Sequence, residues 1–508
     1  MAAPEFAVPE LKEYPVIPIL KADAMAAAKP YVASAPMNEA LGFPGELVAD
    51  WEERAVAKLG ELLQKYRSLK VYLDACVHCG ACTDKCHYFL GTGDPKNMPV
   101  ARQDLLRSVY RRHFTPAGKL FPKLVGAKDL TRDMLEDWYK YYNQCSECRR
   151  CSLFCPYGID TAEITMAAKE ILDAVGYGQK YTNEIIGKVH RVGNNLGLPP
   201  AALADTLEGL EEDIKADTGV DVRLPLDQAG AEVLLITPSA DFFAEPHVDS
   251  LVGYAKVFHA AGIRWTLSSK ASEAGNFGMF IGSYDQLRRI ALRVREAALE
   301  LGVKRIVVGE CGHAWRVAYS FWNTLTGIGA GGNDPFALQL QKQLDQRYKQ
   351  PSHICEVTYD LIRRGALKFD KEANDHRIVT FHDSCNVARG SRMGDAPGGQ
   401  FEIPRAIIRA VANHYVEMAP GTTHEQTFCC GGGGGLLTDE LLELRVKGAS
   451  PRMEALKQVA DSDGVNFMAT ICAICKAQFT KVLPYYHFDR SMIGGVHQLV
   501  STAIRLGA

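Results

Sequence analysis

No stretch of this 508-residue sequence stays apolar for the roughly 18 residues that a membrane-crossing helix needs. Nor is there an excess of one charge: 57 Lys and Arg face 60 Asp and Glu, a formal net charge of −3. That balance gives no electrostatic footprint for nucleic acid and no polybasic patch for a lipid surface. The first residues lack the charged-then-apolar pattern of a secretory signal and an early twin arginine. A cytoplasmic protein is the expectation, one that can still dock on a membrane partner. What the chain does have is 15 cysteines, an odd number arranged in clusters. In a reducing compartment, clustered thiols argue for metal ligation over disulfides.

The length is enough for several domains. Residues 1–45 carry seven prolines among small apolar residues and read as an extended arm without a core of its own. Residues 46–175 read as a helical domain, opened by an apolar helix face of Leu47, Trp51, Ala55, Leu59, Leu62 and Tyr66. Thr131 reads as the cap of a later helix in "TRDMLEDWYKYYNQC". Residues 176–228 form a mixed helical connector. From about 229 short β-branched runs alternate with amphipathic helices, which predicts α/β structure with a parallel sheet. Its strands are expected in "AEVLLIT", "IRWTLS", "KRIVVGE", "HRIVTFHD" and "VNFMATIC". Internal similarity divides this part into two lobes, 229–370 and 371–508. Set without gaps, "VLLITPSA" (233–240) lies over "IVTFHDSC" (378–385), so Ala240 meets Cys385. "KRIVVGECGH" (304–313) over "NFMATICAIC" (466–475) puts Glu310 on Cys472 and His313 on Cys475. The fold class is thus multi-domain α+β: a helical two-cluster domain followed by a duplicated α/β domain.

Two motifs share one frame, C-x2-C-x2-C-x3-C: Cys76, Cys79, Cys82 and Cys86, then Cys145, Cys148, Cys151 and Cys155. Three cysteines so spaced wrap one face of a cubane [4Fe–4S] cluster, and the fourth reaches the other cluster. Cluster one is expected on Cys76, Cys79, Cys82 and Cys155, cluster two on Cys145, Cys148, Cys151 and Cys86. Zinc sites do not use this three-spaced frame. The usual proline after the fourth cysteine is present as Pro156 but replaced by His87 in the first motif, where the ring is expected at the surface or behind a ligand. The 58 residues between motifs resemble the helical ferredoxin domains of respiratory iron–sulfur subunits.

A third group has the order C…CCG…CxxC: Cys385, Cys429, Cys430, Cys472 and Cys475, with five glycines after the vicinal pair. Adjacent cysteines make a strained disulfide. No Gly-Lys-Ser/Thr follows the glycines, so a phosphate loop fails. A thioredoxin-like "CAIC" pair or a zinc site would leave the vicinal pair unexplained. Glycines strip Cβ atoms where a backbone must pass close to a bound group and leave N–H groups free to bond it. The following "LLTDELLELRV" is expected to aim a helix N-terminus at it. His382 and Asp383 are candidates to tune the group and Lys476 to offset its charge. Cys355 reads as helix packing.

"SCN-…-FCCGGGG-…-CAIC" resembles the cysteine-rich CCG domain of heterodisulfide reductases. That resemblance implies a noncubane [4Fe–4S] cluster held by the five cysteines. The spacers of 43 and 41 residues are somewhat longer than that family's pattern. In the first lobe the motif is degenerate, so one such cluster is implied beside the two cubanes. "GECGHAWR" stands there instead, and Glu310, Cys311 and His313 are candidate catalytic residues with Arg316 beside them: thiol, imidazole and carboxylate can manage protons or form a mixed disulfide. The alternative is a set of polar residues capping a cavity. Taken whole, the chain is similar to the heterodisulfide-reductase-like K subunits of Dsr electron-transfer complexes. This implies an iron–sulfur thiol:disulfide oxidoreductase of sulfur metabolism, peripheral on the cytoplasmic face of the inner membrane. Its implied partners are a membrane cytochrome b subunit (DsrM-like), the other subunits of such a complex and a small DsrC-like protein substrate. An iron–sulfur subunit of a flavin-linked lactate or glycolate oxidase, and a pure electron relay, are the competing expectations.

Overall fold

The computed structural model describes residues 41–322, 347–348, 350–438 and 441–507; most of the proline-rich arm lies outside these. The first domain is helical. Helix α1 (Trp51–Lys65) turns Ala55, Leu59 and Leu62 inward, and α2 (Arg67–Ala75) buries Leu69 and Leu73. Burying each such leucine contributes roughly 1.5–3 kcal/mol, so the three- and four-residue spacing fixes which face packs. Short α3 (His87–Thr92) leaves the first cysteine motif and ends on Gly93 in the left-handed region. Helix α4 (Pro99–Phe114) starts with proline at its first position, where a missing N–H costs nothing. The Thr131 hydroxyl accepts from the Met134 N–H and starts α5 (Arg132–Asn143). Asp160 accepts from Ala162 and Glu163 N–H to start α6 (Thr161–Ala174). Leu59, Leu106, Leu135, Trp138, Ile164 and Leu172 share one core, which also takes in Leu436, Leu441 and Leu444 from beyond the glycine run. The acidic connector is largely helical, as α7 (Lys180–Val192) and α8 (Pro200–Thr218).

The remainder is a duplicated α/β unit. In the first lobe β1 (Val233–Ile236) leads to α9 (His247–Ala260), β2 (Trp265–Thr266), α10 (Tyr284–Glu300), β3 (Arg305–Val308), α11 (Gly312–Arg316), β4 (Ser352–His353) and α12 (Ile354–Arg363). The second lobe follows with β5 (Val379–His382), α13 (Cys385–Gly390), α14 (Gly399–Val411), α15 (Leu442–Asp463), β6 (Phe467–Thr470), α16 (Ala473–Val482), β7 (Ile493–Gly495) and α17 (Val496–Ala503). All strands pair in parallel, in the orders β2-β1-β3-β4 and β5-β6-β7. A parallel bridge from Val379 to Tyr415 stands where β2 stands in the first lobe. The five expected strands are present. Strands β4 and β7 have no run of β-branched residues to announce them; each is two or three residues long and is fixed by its neighbour.

The lobes pack reciprocally: α9 lies on α17, and its counterpart α14 lies on α12. Leu251, Tyr254 and Phe258 of α9 share a core with Val496, Leu499 and Val500 of α17. Both sheets therefore point the C-terminal ends of their strands, where open parallel sheets carry ligands, into the region between the lobes.

Candidate functional site

Each ferredoxin-type motif is a tight loop that needs left-handed backbone at the same two places. His78 and Gly80 have φ of 56° and 78°, Glu147 and Arg149 φ of 55° and 60°. For the three non-glycine residues this costs roughly 1–2 kcal/mol each, strain of the kind that persists at functional sites. A cavity is lined by Cys76, Cys79, Cys82, Cys151 and Cys155, so Cys155 of the second motif stands with three cysteines of the first. Cys86 of the first motif stands instead with Cys145 and Cys151. Buried Arg102 lies beside these sulfurs, held by Tyr141 O at 2.8 Å and Asn97 Oδ1 at 2.9 Å. Burial opposes its charge, but the sulfurs of Cys145, Cys86 and Cys151 outweigh that and raise its pKa.

The third group of thiols is buried where the two lobes and the helical domain meet. Cys385 opens α13; Cys472 caps α16, and Cys475 lies in its first turn. Sγ of Cys385 is 3.9 Å from Sγ of Cys429. The N–H groups of Gly431 and Gly432 each point at a sulfur, of Cys429 and Cys430, over 3.4 Å. Hydrogen bonds from Cys148, Cys385 and Cys430 hold the Cys429 thiol well below its ordinary pKa. At Cys472 burial opposes ionisation, yet contacts with Cys311, Cys475 and His313 prevail and depress it well below the ordinary value. A dry nest of five adjoining thiols, with peptide N–H groups aimed at the sulfurs, fits an anionic iron–sulfur group.

The glycines have a second reason beyond closeness to sulfur. A Cβ on Gly433 would lie 2.8 Å from Ser146 O, on Gly434 2.3 Å from Cys145 O, and on Gly435 2.4 Å from Gln179 Oε1. The run is pressed against the second ferredoxin-type motif. The helical domain and the connector after it also donate to its carbonyls: Tyr88 Oη to Gly431 at 2.6 Å, Lys169 Nζ to Gly434 at 3.1 Å, Gln179 Nε2 to Gly435 at 2.7 Å. No composition or spacing marks Tyr88, Gln179 or Arg102 for these tasks; they are found only through the domain contact. The helix expected after the glycines is α15, which starts at Leu442 past turns at 433–436.

Among the other expected residues, Cys311 and His313 join the thiols. Cys311 hydrogen-bonds to Cys472, and His313 Nδ1 lies 3.8 Å from the Cys472 sulfur. Strand register corrects the gapless alignment by one residue in the first segment and keeps it along the strands of the second. Val233 pairs Arg305 as Val379 pairs Phe467, which matches Ser239 with Cys385. Cys311 caps α11 at φ −135°, ψ 108°, as Cys472 caps α16 at φ −145°, ψ 119°. Cys311, and not Glu310, is the counterpart of Cys472. The connector from β3 is one residue longer than that from β6, which a gapless alignment cannot show.

Glu310 turns away from the thiols: Oε1 accepts from His497 at 2.8 Å and Oε2 from Ser250 at 2.9 Å. Lys476 faces the same way, 3.6 Å from Glu310, 3.8 Å from Asp241 and bonded to Ser250. It offsets carboxylates between the lobes. Asp383 is held by Arg405 through two bonds of 2.8 Å. Both ring nitrogens of buried His382 lack a partner among the described residues, and burial keeps its pKa well below the ordinary value. His87 is not at the surface: its ring bridges Ser146 Oγ at 2.7 Å and Gly448 O at 2.8 Å. Arg316 donates to Asn386 at 2.9 Å, next to Cys385. Cys355 is fully buried on α12.

Comparison with known proteins agrees with this division. Residues 72–159 match the model of the 4Fe-4S dicluster domain, and residues 379–480 match that of the cysteine-rich CCG domain. The chain is 42 % identical over 487 residues, 91 % of its length and 85 % of the relative's, to the Hdr-like menaquinol oxidoreductase iron–sulfur subunit of Archaeoglobus profundus. It is 42 % identical over 481 residues to the corresponding subunit 2 of Archaeoglobus fulgidus, with the same coverage. A more distant relative belongs to the dihydromethanophenazine:CoB–CoM heterodisulfide reductase of Methanosarcina barkeri, with 26 % identity over 411 residues, 80 % of this chain and 87 % of that protein. An iron–sulfur-binding helical domain joined to a duplicated cysteine-rich unit, with 42 % identity across nine-tenths of the chain, makes the protein a member of the Hdr-like oxidoreductase iron–sulfur subunit family.

Proposed function

We propose that the chain carries electrons between a membrane partner of cytochrome b type (DsrM-like) and a disulfide or trisulfide on a small DsrC-like protein, as the K subunit of a Dsr-type complex does. Two relatives are named as menaquinol oxidoreductase subunits, which supports a quinol pool as the other end of the path. No helix among the described residues is long and apolar enough to cross a membrane, so attachment at the cytoplasmic face would run through that partner.

In this reading Cys76, Cys79, Cys82 and Cys155 hold one cubane cluster, and Cys145, Cys148, Cys151 and Cys86 the other. Cys385, Cys429, Cys430, Cys472 and Cys475 hold a noncubane [4Fe–4S] cluster. When bound, these groups supply one-electron steps that ordinary side chains cannot. The chain does the rest. The glycine run lets the second motif approach the third site, buried Arg102 balances anionic sulfur, and apolar walls keep water out. Cys311 is the residue we assign to the substrate. Its thiol attacks a disulfide R–S–S–R′, forming Cys311–S–S–R and releasing R′–SH. Two electrons from the partner and two protons then return Cys311–SH and R–SH. His313 positions Cys472 beside it.

The observation that carries this reading is the unbroken contact of sulfurs from the helical domain into the lobes: Cys148 meets Cys429, Cys430 meets Cys475, Cys475 meets Cys472, and Cys472 meets Cys311. Cys430→Ser tests it. Iron should fall from about 12 to about 8 atoms per chain, with cubane EPR signals retained. Disulfide turnover driven by reduced viologen should vanish. Turnover that survives the substitution would remove the third site from the chemistry, and an unsubstituted protein that turns over no disulfide would leave a pure electron relay in its place.

A further inference from the structure

We infer that the place of the first lobe's missing cysteine motif is a binding pocket for the sulfur-carrying end of the substrate, in the form of an uncharged, cysteine-bearing stretch of polypeptide. A cavity of about 170 Å³ lies there. Three of its walls are the first lobe's counterparts of the thiol-bearing segments in the second. Ala240 adjoins Ser239, the counterpart of Cys385, in the segment after β1; Glu273, Asn276 and Phe277 precede α10 as Cys429 and Cys430 precede α15; Cys311 follows β3 as Cys472 follows β6. Gly432 of the glycine run closes it from the other lobe. Cys311 thus has the cavity on one side and Cys472 on the other. Tyr181, also in the wall, is 40 % exposed, so the cavity opens beside it.

The wall chemistry selects the ligand. Among the described residues, no lysine or arginine lines the cavity. His247, which does, is kept neutral because burial pushes its pKa down to about 3. The Glu273 carboxylate is already engaged by Ser239, through O–H at 2.6 Å and N–H at 3.1 Å. Asn276 Oδ1 and Asn195 Oδ1 are buried acceptors with no partner among the described residues. An unmet buried acceptor calls for a donor, and peptide N–H groups are donors. A small thiol carrying sulfonate or phosphate would bring a negative charge into a site with no cation to meet it.

This inference rests on the proposed disulfide chemistry for its purpose but not for its test, which is made on the cluster-loaded protein with two thiol reagents. Neutral methyl methanethiosulfonate and its anionic sulfonatoethyl analogue react alike: the thiol attacks the sulfenyl sulfur, a mixed disulfide forms, and the sulfinate leaves as the thiol proton passes to solvent. With rates normalised to free cysteine and modification mapped by mass spectrometry, the neutral reagent should modify Cys311 at least about tenfold faster. Phe277→Trp, or Ala477→Leu as a second way of filling the space, should slow that labelling about tenfold while iron content and EPR spectra stay unchanged. Equal rates for the two reagents, or an inert Cys311, would overturn the pocket. Disulfide turnover with an inert Cys311 would sink the pocket and the attack assigned to Cys311, and leave the electron path to a disulfide standing. Labelling as described without disulfide turnover would sink the proposed function alone.

Discussion

The phenol of Tyr88 donates to the carbonyl oxygen of Gly431 over 2.6 Å. A residue two positions past the last cysteine of the first motif thus holds the glycine next to the vicinal pair. Both groups are buried, so Tyr88→Phe leaves a carbonyl without its donor and should cost about 1–3 kcal/mol. Denaturant unfolding of the two proteins side by side measures it, and a loss within error of zero would mean that the domains are not coupled through this bond.

Gly434→Ala should do more. The added methyl would sit 2.3 Å from Cys145 O, at a φ of +69° that an L side chain resists. Overpacking costs about 1–3 kcal/mol and the left-handed backbone roughly 1–2 more. The domains must part slightly, so electron transfer from the second motif to the third site should slow. Rapid-mixing reduction of the third site, followed by freeze-quench EPR, reads that rate directly.

Glu310 fixes a pH dependence. Burial alone would raise its carboxyl pKa, but hydrogen bonds from His497 and the charge of Lys476 outweigh burial and bring it to about 2, against 4.5 unfolded. A carboxylate depressed on folding adds stability that is complete above the unfolded value and is lost as pH falls towards the folded one. The shift corresponds to about 3 kcal/mol. Glu310→Gln should therefore be less stable by about this amount at pH 6, with the difference closing between pH of about 5 and about 2. Parallel melts of the two proteins cancel the acid lability of the clusters they share; a difference independent of pH would contradict the assignment.

Arg405 and Asp383, 1 % and 3 % exposed, form a buried bidentate pair that also binds Glu417. Arg405→Met would strand a buried carboxylate just before Ser384 and Cys385, which should cost about 3–5 kcal/mol. Iron at the third site should fall with it, while the two ferredoxin-type motifs keep theirs. Calorimetry with iron analysis checks both halves.

Part of this architecture could be read without coordinates. The helix face of Ala55, Leu59 and Leu62, the Thr131 cap and five strands were legible because each is written in a contiguous stretch. Strands β4 and β7 were not, because two or three residues carry no period and exist only beside β3 and β6. The orientation of Glu310 was hidden for another reason: the one-residue difference between the connectors after β3 and β6 decides which side chain faces the thiols. His87, which the motif alone would put at the surface or behind a ligand, is buried by α15, from a part of the chain hundreds of positions away.

The cysteine frames and the two-lobed α/β repeat follow from the sequence itself, since ligand spacing and strand periodicity act over a few neighbouring residues. Only the tertiary structure decided that Cys311 meets Cys472, that Glu310 and Lys476 serve the lobe interface, and that the glycines yield room to a second domain as well as to sulfur. Those contacts join segments with no local bond between them, and only packing of the whole chain sets which of them come within reach.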